Sequence, residues 1–558
     1  TLFVLDNKIF NTGAIPLSSI QPTQINNYLG NHVSVDTNNS SKNFKAYKTT
    51  RGTLSIDEDV QLDNYTGTAI DSYYRVDFLN SAVTIEAGKK MVGTDATEIE
   101  QVIAQANYED ATSDNHVKVI NNGTIDFSKK GGTAIAVDYA PATNNGLIKM
   151  DAANGTNKNS IGLFGASSSK LTNSSTGEIQ LGTRGVGIWG ANKIGSSVGT
   201  WGKNINITNN GKITGLSGKE GVFGIYAVND IATYIGATSN IVHGVTGNID
   251  LSQSKKSIGI YMANGTLTSS GNISVSDKSV GLDATTSDVR INGGTHTIGK
   301  ESVGFKLTNI SNTKKFLGNS GNISIKDKGS VAYLIKSSVL TSGTNFKDNL
   351  ALTSTSAYTY MSLVNHSMLD YMNTKTIAND DSIFVNTKDS TVSLLSGTSV
   401  TSTNKKVTGV YSENSAVSNG GILTLTGDES SALYGKAGSF LINSGKITIG
   451  KSGSGIYSID STGKNNGEIT IGQGSVGMRA EDAIIENGVA GKILSTGISA
   501  LGMSQSGGTQ NITNKGAITL IGDKSIALHS EGITSPNHKV INIGNITVGA
   551  SSNTLSPS

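Results

Sequence analysis

One stretch of the chain has glycines at a spacing that can bind a phosphate group. "GVGIWG", Gly185–Gly190, matches the pattern G-x-G-x-x-G. In a dinucleotide-binding site those glycines follow a strand, open a helix and precede an acidic residue by about 20 positions. Here the same turn recurs as "GIYM" and "GIYS" with no helical pattern behind it. We therefore interpret these glycines as a structural turn.

A serine turn and the histidines are the next candidates for chemistry. "SGTSV", Ser396–Val400, is similar to the nucleophile turn of subtilisin-like proteases, but "TSTNKK" replaces the continuation that this turn requires. Histidines that bind a metal usually lie three or four positions apart or act together with cysteines. No two of the seven histidines have that spacing, and the chain has no cysteine, so the sequence predicts no metal site and no cofactor. The histidines are His32, His116, His243, His296, His366, His529 and His538.

One aromatic position recurs along the chain and could recognise a ligand. It follows the motif V/I-G-I, and alternation along a strand would turn it outward while the preceding Ile or Val faces inward. Flat aromatic faces suit the C–H surfaces of sugars and the hot spots of protein receptors. The alternative is a stacking ladder that only stiffens the protein and fills a trench left by an outward glycine. The predicted ligand-binding residues are Phe164, Trp189, Tyr226, Tyr261, Tyr411, Tyr434 and Tyr457.

These aromatic residues belong to a repeated unit, of which "NNGEITIGQGSVGMRA", residues 465–480, is one copy. Other copies are "STGEIQLGTRGVGIWG" and "NSGKITIGKSGSGIYS", and the leading glycine returns every 22 to 36 residues, a period typical of solenoids. The Asn-Gly step provides a turn. The alternation in "EITIG" places Ile469 and Ile471 on one buried face. We predict two short strands in each repeat, the second with Val476 and Met478 inward.

A single repeat is too small to bury its own apolar face, whereas stacked repeats share a continuous column of Ile and Val. Strands of successive coils then pair in parallel, about 4.8 Å apart. Parallel connections are strongly biased to one hand. The predicted fold is therefore all-β, a right-handed parallel β-helix (β-solenoid) of about 20 coils with a short helical insertion near the N-terminus.

Two regions match the repeat poorly. In "TDATEIEQVIAQANY", acidic residues precede Ile99, Val102 and Ile103 as in the first turn of a helix, so we predict a short helix near 95–107. "AYTYMSLVNHSMLDYM" is open to interpretation as a helix or as two degenerate coils, and the strand-like segments that follow it favour coils. The predicted organisation is irregular or capping coils at 1–120, regular coils at 121–340, irregular coils or an insertion at 341–400, and regular coils at 401–558.

Composition limits the classes of function. The net charge of +2 gives no electrostatic signature of nucleic-acid binding. The absence of cysteine is common in bacterial proteins that are exported through an oxidising periplasm, so we expect an exported protein. The start "TLFVLDNKIF" shows no signal peptide. No apolar run is long enough for a transmembrane helix.

The units "SIGIYM", "KSVGLDA", "GSGIYS" and "GSVGMRA", within roughly residues 120 to 550, carry a resemblance. They resemble the passenger domains of type Va autotransporter adhesins, and more narrowly the large fusobacterial outer-membrane adhesins of the RadD and galactose-binding adhesin group. The resemblance implies an extracellular location on the bacterial surface and an outer-membrane anchor through a C-terminal barrel that this chain lacks. It also implies binding to partner bacteria, to protein receptors or to host glycans, galactose-containing ones among them.

The leading functional hypothesis is a rod-shaped segment of a bacterial surface adhesin that is not an enzyme and binds by many weak contacts. The alternative is a carbohydrate-active β-helix enzyme, a lyase or a glycosidase. Two-carboxylate glycosidases need paired acids, and the acids here are scattered apart from "DEDVQLD" and "NDDS". Clustering of acids across coils is not visible in the sequence, so the alternative stays open. A vacuolating toxin would need a membrane-inserting segment near the N-terminus, and none is seen.

Overall fold

A computed structural model describes most of the chain beyond residue 80. The described residues are 3–5, 8–10, 33–34, 47–49, 52–56, 59–62, 68–74, 81–95, 101–107, 117–129, 131–138, 140–151, 160–166, 168–191, 204–229, 238–311, 313–532, 534, 536 and 538–549. They form two compact units. The first comprises Thr1–Ser302, Gly318–Ile323 and Asn349–Ala351, and the second comprises Val303–Leu317, Ser324–Asp348 and Leu352–Ser558.

All regular secondary structure in the described residues is β-strand. The first strands in chain order are β1 (Phe3–Leu5), β2 (Lys8–Phe10), β3 (Val33–Ser34), β4 (Tyr47–Thr49), β5 (Gly52–Ile56), β6 (Val60–Gln61), β7 (Thr68–Tyr74), β8 (Ser81–Ile85), β9 (Lys90–Val92), β10 (Gln101–Asn107), β11 (Val117–Asn121), β12 (Thr124–Phe127), β13 (Gly132–Asp138), β14 (Pro141–Asn144), β15 (Leu147–Met150), β16 (Ser160–Ala166), β17 (Lys170–Asn173), β18 (Glu178–Leu181), β19 (Val186–Ala191), β20 (Ile205–Asn209), β21 (Lys212–Gly215), β22 (Phe223–Val228), β23 (Ser239–His243), β24 (Asn248–Leu251), β25 (Ile258–Ala263), β26 (Gly265–Ser269), β27 (Asn272–Val275), β28 (Val280–Thr285) and β29 (Asp288–Ile298).

The remaining strands continue the same succession. They are β30 (Val303–Thr308), β31 (Phe316–Ile325), β32 (Ser330–Lys336), β33 (Val339–Thr341), β34 (Phe346–Asp348), β35 (Ala351–Ser354), β36 (Tyr358–Val364), β37 (Met368–Tyr371), β38 (Thr374–Thr376), β39 (Ile383–Lys388), β40 (Thr391–Leu394), β41 (Ser399–Ser402), β42 (Thr408–Glu413), β43 (Ala416–Asn419), β44 (Ile422–Leu425), β45 (Ser431–Lys436), β46 (Phe440–Asn443), β47 (Lys446–Ile449), β48 (Ser454–Ile459), β49 (Thr462–Asn465), β50 (Glu468–Ile471), β51 (Val476–Glu481), β52 (Ile484–Asn487), β53 (Lys492–Ser495), β54 (Leu501–Ser506), β55 (Ile512–Asn514), β56 (Ala517–Leu520), β57 (Ile526–Glu531), β58 (Val540–Asn542) and β59 (Asn545–Val548).

Each unit is a parallel β-solenoid in which one turn supplies three short strands, as the turn β48, β49 and β50 shows. In the second unit the strands from β36 to β57 that carry the aromatic position form one parallel sheet, which we call the ladder sheet. In the first unit, β7, β10, β13, β16, β19, β22, β25 and β28 form the equivalent sheet. The solenoid class is therefore confirmed. Each turn contains three strands rather than the predicted two. The additional strand was not predicted because its sequence, for example "TGKN" in β49, is too polar to be recognised as a strand.

The core is the column of apolar side chains that the repeat predicts. Ile447, Ile469 and Ile493 stand in register on consecutive turns, and all are fully or almost fully buried. Each such side chain contributes about 2 kcal/mol when it is removed from water. Equivalent positions are apolar from β41 to β56, and Lys375 takes this place in β38. The apolar column explains why the repeat folds only as an array.

The number of turns and the predicted helix both need correction. The described residues form about 16 turns rather than about 20, partly because some turns are long: the equivalent Asn173 and Asn209 are 36 residues apart. The predicted helix near 95–107 is wrong where the structure describes it, since Gln101–Asn107 is strand β10. Val102 and Ile103 are buried, and β10 pairs in parallel with both β7 and β13. Neighbouring turns therefore impose the strand conformation over a local helical pattern.

The stretch 341–400 contains short strands joined by turns. Tyr358–Val364 and Met368–Tyr371 are strands, and β36 pairs in parallel with β32 and β39. Tyr360 and Tyr371 are fully buried. The unusual sequence thus reflects a core filled by aromatic rings instead of Ile and Val. No helix in the described part of the chain is long and apolar enough to cross a membrane.

The Asn of the Asn-Gly turn forms a second column inside each unit. In the second unit each side-chain amide donates a hydrogen bond to the Oδ1 of the next turn, at 2.7 to 2.8 Å, from Asn419 through Asn443, Asn465, Asn487 and Asn514 to Asn542. In the first unit, Asn121, Asn144, Asn173 and Asn209 do the same until His243 takes the next place. These stacks satisfy buried amides that would otherwise cost about 1–3 kcal/mol each.

Candidate functional site

The predicted ligand-binding residues form two aromatic ladders, one in each unit. In the first unit Phe164 is paired in register with Trp189, Trp189 with Tyr226, and Tyr226 with Tyr261. In the second unit Tyr411 is paired with Tyr434, and Tyr434 with Tyr457. Every ring is half-buried. The structure therefore brings the seven residues into two separate groups that run from turn to turn. One group lies on the outer face of the ladder sheet of the second unit, and the other lies on the outer face of the equivalent sheet of the first unit.

The rings of the first ladder are in contact with one another. Phe164 and Trp189 meet edge to face with ring centres 5.5 Å apart, and Trp189 and Tyr226 do so at 5.7 Å. Tyr226 and Tyr261 are stacked at 4.9 Å. Such pairs contribute about 0.5–1.5 kcal/mol beyond the burial of their area. These ring contacts help to hold successive turns together.

The surroundings of the first ladder are apolar. The outward position two residues further along each strand is Ala166, Ala191, Val228 or Ala263. Burial raises the pKa of the Tyr261 hydroxyl, with smaller contributions from Tyr226 and Asp283. The buried indole Nε1 of Trp189 has no hydrogen-bond partner among the residues that the structure describes.

The second ladder carries charge beside its rings. Tyr411 and Tyr434 are stacked with ring centres 5.1 Å apart, and Tyr457 meets Tyr434 edge to face at 4.9 Å. The guanidinium of Arg479, on the next turn, lies 4.7 Å from the centre of the Tyr457 ring. It also forms an ion pair of 3.1 Å with Glu481. The tyrosine ladder therefore ends at a cation.

A charged column follows the tyrosines two residues further along each strand. Lys388, Glu413 and Lys436 stand in register on consecutive turns. Glu413 pairs with Lys388 at 2.6 Å and with Lys436 at 3.2 Å. The hydrogen bond from Lys388, followed by that from Lys436, lowers the pKa of the Glu413 carboxyl. Two cations thus share one carboxylate, and Lys436 also lies over the Tyr411 ring at 5.5 Å.

The hydroxyl of Tyr457 is held in its protonated form. Burial, and then its hydrogen bond to Glu481, raise the pKa of this hydroxyl to about 12. Burial likewise raises the pKa of the Tyr434 hydroxyl. Tyr457 is therefore a proton donor at neutral pH, next to a carboxylate and a guanidinium. This group of Tyr457, Arg479 and Glu481, which we call the ladder-end triad, has the residue types of an acid–base site.

The predicted glycine trench is wrong. A Cβ on Gly187 would lie 2.7 Å from Cγ2 of Ile213, and one on Gly477 would lie 2.6 Å from Cγ2 of Ile493. These glycines therefore face the core, where the Ile of a neighbouring strand fills the space. For the same reason Val476, predicted to point inward, is only half-buried, while Met478 is buried. The aromatic rings stand on a flat sheet face rather than beside a furrow.

The charged column and the ladder-end triad were not predicted from the sequence. The repeat shows the aromatic position because Tyr, Trp or Phe recurs there, whereas the position two residues later has no recurring residue type, as Ala263, Lys436 and Ile459 show. Only the register places Lys388 beside Glu413 and Arg479 beside Tyr457. Within the described residues no group of three His, Asp or Glu side chains is close enough to hold a metal ion.

The chain is similar to one known family over part of its length. A family model described as the BigA third pectate lyase-like domain matches residues 286–525. One similar solved structure is the A-module of a mannuronan C-5 epimerase from Azotobacter vinelandii, with 8% identity and a TM-score of 0.15 over 83% of this chain and 91% of that chain. Another is a periplasmic alginate epimerase, with 10% identity and a TM-score of 0.19 over 72% of this chain and 78% of that chain. No curated protein matches the sequence.

The family match corrects one prediction about function. We predicted that the chain is not an enzyme, and the match to a pectate lyase-like domain contradicts this. The matched range includes the whole tyrosine ladder, the charged column and the ladder-end triad. The comparisons give no support to the narrower resemblance to the fusobacterial adhesins.

Proposed function

We propose that this protein is a carbohydrate-active β-helix enzyme of the lyase or glycosidase type that binds an acidic polysaccharide along the second ladder. The observation that carries the proposal is the ladder of Tyr411, Tyr434 and Tyr457, which ends at Arg479. Stacked rings recognise the faces of successive sugars. The cations beside them recognise acidic groups on the same chain.

The charged column supports an acidic rather than a neutral substrate. Lys388 and Lys436 already share the single carboxylate of Glu413, and Arg479 is paired with Glu481. These ion pairs are exposed and contribute little to stability, so a substrate carboxylate can replace them at low cost. The description of the matching family as pectate lyase-like points to the same class, since pectate is an acidic polysaccharide.

The ladder-end triad is the proposed catalytic group. In the lyase reaction Arg479 neutralises the substrate carboxylate, Glu481 accepts the proton next to it, and the Tyr457 hydroxyl protonates the departing glycosidic oxygen. The raised pKa of Tyr457 keeps that proton in place at neutral pH. Each role follows from the group's charge and its contacts in this protein.

The test combines a cleavage assay with a binding assay on the same proteins. The purified chain is incubated with pectate, with alginate and with a neutral polysaccharide, and new chain ends and unsaturated products are measured. Glu481→Gln should abolish turnover and keep binding, whereas Tyr434→Ala should weaken binding. Absence of binding and cleavage with every acidic polysaccharide would contradict the proposal.

The first ladder favours a second function, that of a surface adhesin. It presents the half-buried rings of Phe164, Trp189, Tyr226 and Tyr261 among small apolar residues. This supports attachment to a host glycan, a protein receptor or a partner bacterium by an extracellular protein anchored at the outer membrane. Replacement of Trp189 by Ala should reduce adhesion of cells that display the protein. Unchanged adhesion with the fold intact would reject this role.

A further inference from the structure

A buried carboxylate lies in the irregular part of the second unit. Asp348 ends strand β34, and its side chain is only 1% exposed. Around it the rings of Tyr333, Phe346 and Tyr360 are fully or almost fully buried and in mutual contact. A carboxylate in such surroundings is costly unless hydrogen bonds and a counter-charge compensate for the lost water.

Three tyrosine hydroxyls point at this carboxylate. Tyr333 donates to Oδ1 at 2.9 Å, and Tyr360 and Tyr371 donate to Oδ2 at 2.5 and 3.1 Å. The side-chain amide of Asn373 donates to the backbone carbonyl of Asp348. Both carboxylate oxygens are therefore held in place, and the group cannot turn away.

A lysine amine completes the cluster. Nζ of Lys375, in strand β38, lies 3.3 Å from Oδ1 of Asp348 and 5.1 Å from the centre of the Tyr360 ring. The lysine side chain is only 11% exposed. For Nζ to act as a nucleophile, a proton must pass from the ammonium to the carboxylate across this 3.3 Å contact, which leaves a neutral amine and a neutral acid.

We propose that Lys375 and Asp348 become joined by an amide bond, an intramolecular isopeptide crosslink between strands β38 and β34. The neutral Nζ attacks Cγ of the protonated Asp348, and a C–N bond forms. The C–Oδ1 bond then breaks, and Oδ1 leaves with two protons as water, one from the carboxylic acid and one from the amine. The reaction is a condensation that needs no oxidant, reductant or other reactant.

The tyrosines supply what this step requires. Negative charge develops on Oδ2 in the tetrahedral intermediate, and the Tyr360 and Tyr371 hydroxyls already donate to that atom, as donors do in an oxyanion hole. The Tyr333 hydroxyl donates to Oδ1, the leaving oxygen. Burial, and then the charge of Asp348, raise the pKa of all three hydroxyls well above 10, so they stay protonated. The fixed geometry replaces an encounter in solution.

Mass spectrometry of the intact, denatured protein tests the proposal. The expected mass is lower than that of the sequence by one water molecule. Proteolysis should give a branched peptide that joins the segments containing Asp348 and Lys375, and trypsin should not cleave after Lys375. Lys375→Arg keeps a cation but removes the amine, so this variant should have the full sequence mass.

The outcomes separate the crosslink from an ordinary ion pair. The full sequence mass in the wild-type protein overturns the proposal, and so does a loss of water that peptide mapping places at another residue. Tyr371→Phe removes one donor to Oδ2 and should leave a measurable fraction of the protein uncrosslinked. If Lys375→Arg does not fold, the intact mass and the branched peptide of the wild-type protein decide the question by themselves.

Discussion

The guanidinium of Arg479 lies 4.7 Å from the centre of the Tyr457 ring, in the place that a fourth tyrosine would occupy if the second ladder continued. The aromatic column therefore changes from rings to a cation at a defined turn. The hydroxyl of the last ring contacts Glu481, which also pairs with that cation.

Removal of the cation should weaken binding of an acidic polysaccharide and reduce its dependence on salt. Arg479→Ala should lower affinity about 5- to 30-fold, because a charge-assisted contact contributes roughly 1–2 kcal/mol. Isothermal titration calorimetry at two salt concentrations measures both effects. Lys492→Ala, an exposed lysine of strand β53, is the control and should change neither. Equal losses in both variants would indicate non-specific charge attraction.

Truncation of the central ring should interrupt the second ladder. Tyr434→Ala removes the ring between Tyr411 and Tyr457 and should reduce polysaccharide affinity about 2- to 10-fold, since one aromatic contact contributes roughly 0.5–1.5 kcal/mol. Phe440→Ala is a matched control, because Phe440 is an aromatic residue that is 45% exposed and belongs to strand β46, outside the ladder sheet. Affinity gel electrophoresis compares the two. A Phe440 variant that loses as much affinity as the Tyr434 variant would place binding elsewhere.

Interruption of an Asn ladder should destabilise the second unit. Asn465→Ala removes the hydrogen bond to the Oδ1 of Asn487 and leaves the amide of Asn443 with only long bonds to backbone carbonyls. The expected cost is about 1–3 kcal/mol, measured by urea denaturation. Asn466→Ala, at the neighbouring half-buried position, is the control and should cost less than about 0.5 kcal/mol. Equal costs would show that the column contributes nothing beyond an ordinary turn.

Acid should destabilise the first unit through two buried histidines. Burial lowers the pKa of His243, and burial followed by the charge of His243 lowers the pKa of His296 from 6.5 to about 3. The unfolded chain therefore binds protons that the folded unit does not. The stability contributed by neutral imidazoles is full above pH 6.5 and falls as the pH drops towards about 3.

The thermal midpoint of the first unit, followed by circular dichroism, should decrease across this pH range. His243→Asn restores the residue type of the ladder and should make the decrease smaller. The side chain of His243 accepts from Asn209 through Nδ1 and donates to the carbonyl of Asn272 through Nε2, which only the neutral ring can do. A midpoint that is independent of pH in the wild-type protein would contradict this account.

The sequence predicts the solenoid and the aromatic ladders because both depend on positions that repeat. The position of Ile469 is apolar on consecutive turns from β41 to β56, and the residue after V/I-G-I is repeatedly aromatic. Strand β10 was predicted as a helix because its local pattern is helical, and the pairing with neighbouring turns that favours a strand is not visible in the local sequence. The surroundings of Asp348 were not predicted either, because its partners Tyr333 and Lys375 lie on other strands and differ in residue type from the equivalent positions on neighbouring turns. Contacts that depend on which residues of different turns stand opposite each other, such as those of the charged column, can be recognised only from the structure.

The Asn ladder of the second unit has a direction, because every side-chain amide from Asn419 to Asn514 donates towards the next turn and none donates backwards. Aligned amides polarise one another, so the side-chain dipoles of the column add in one direction. A turn that adds to the C-terminal end of the array meets an unpaired amide donor. A turn that adds to the N-terminal end meets an unpaired Oδ1 acceptor. Growth of the array is thus chemically different at its two ends.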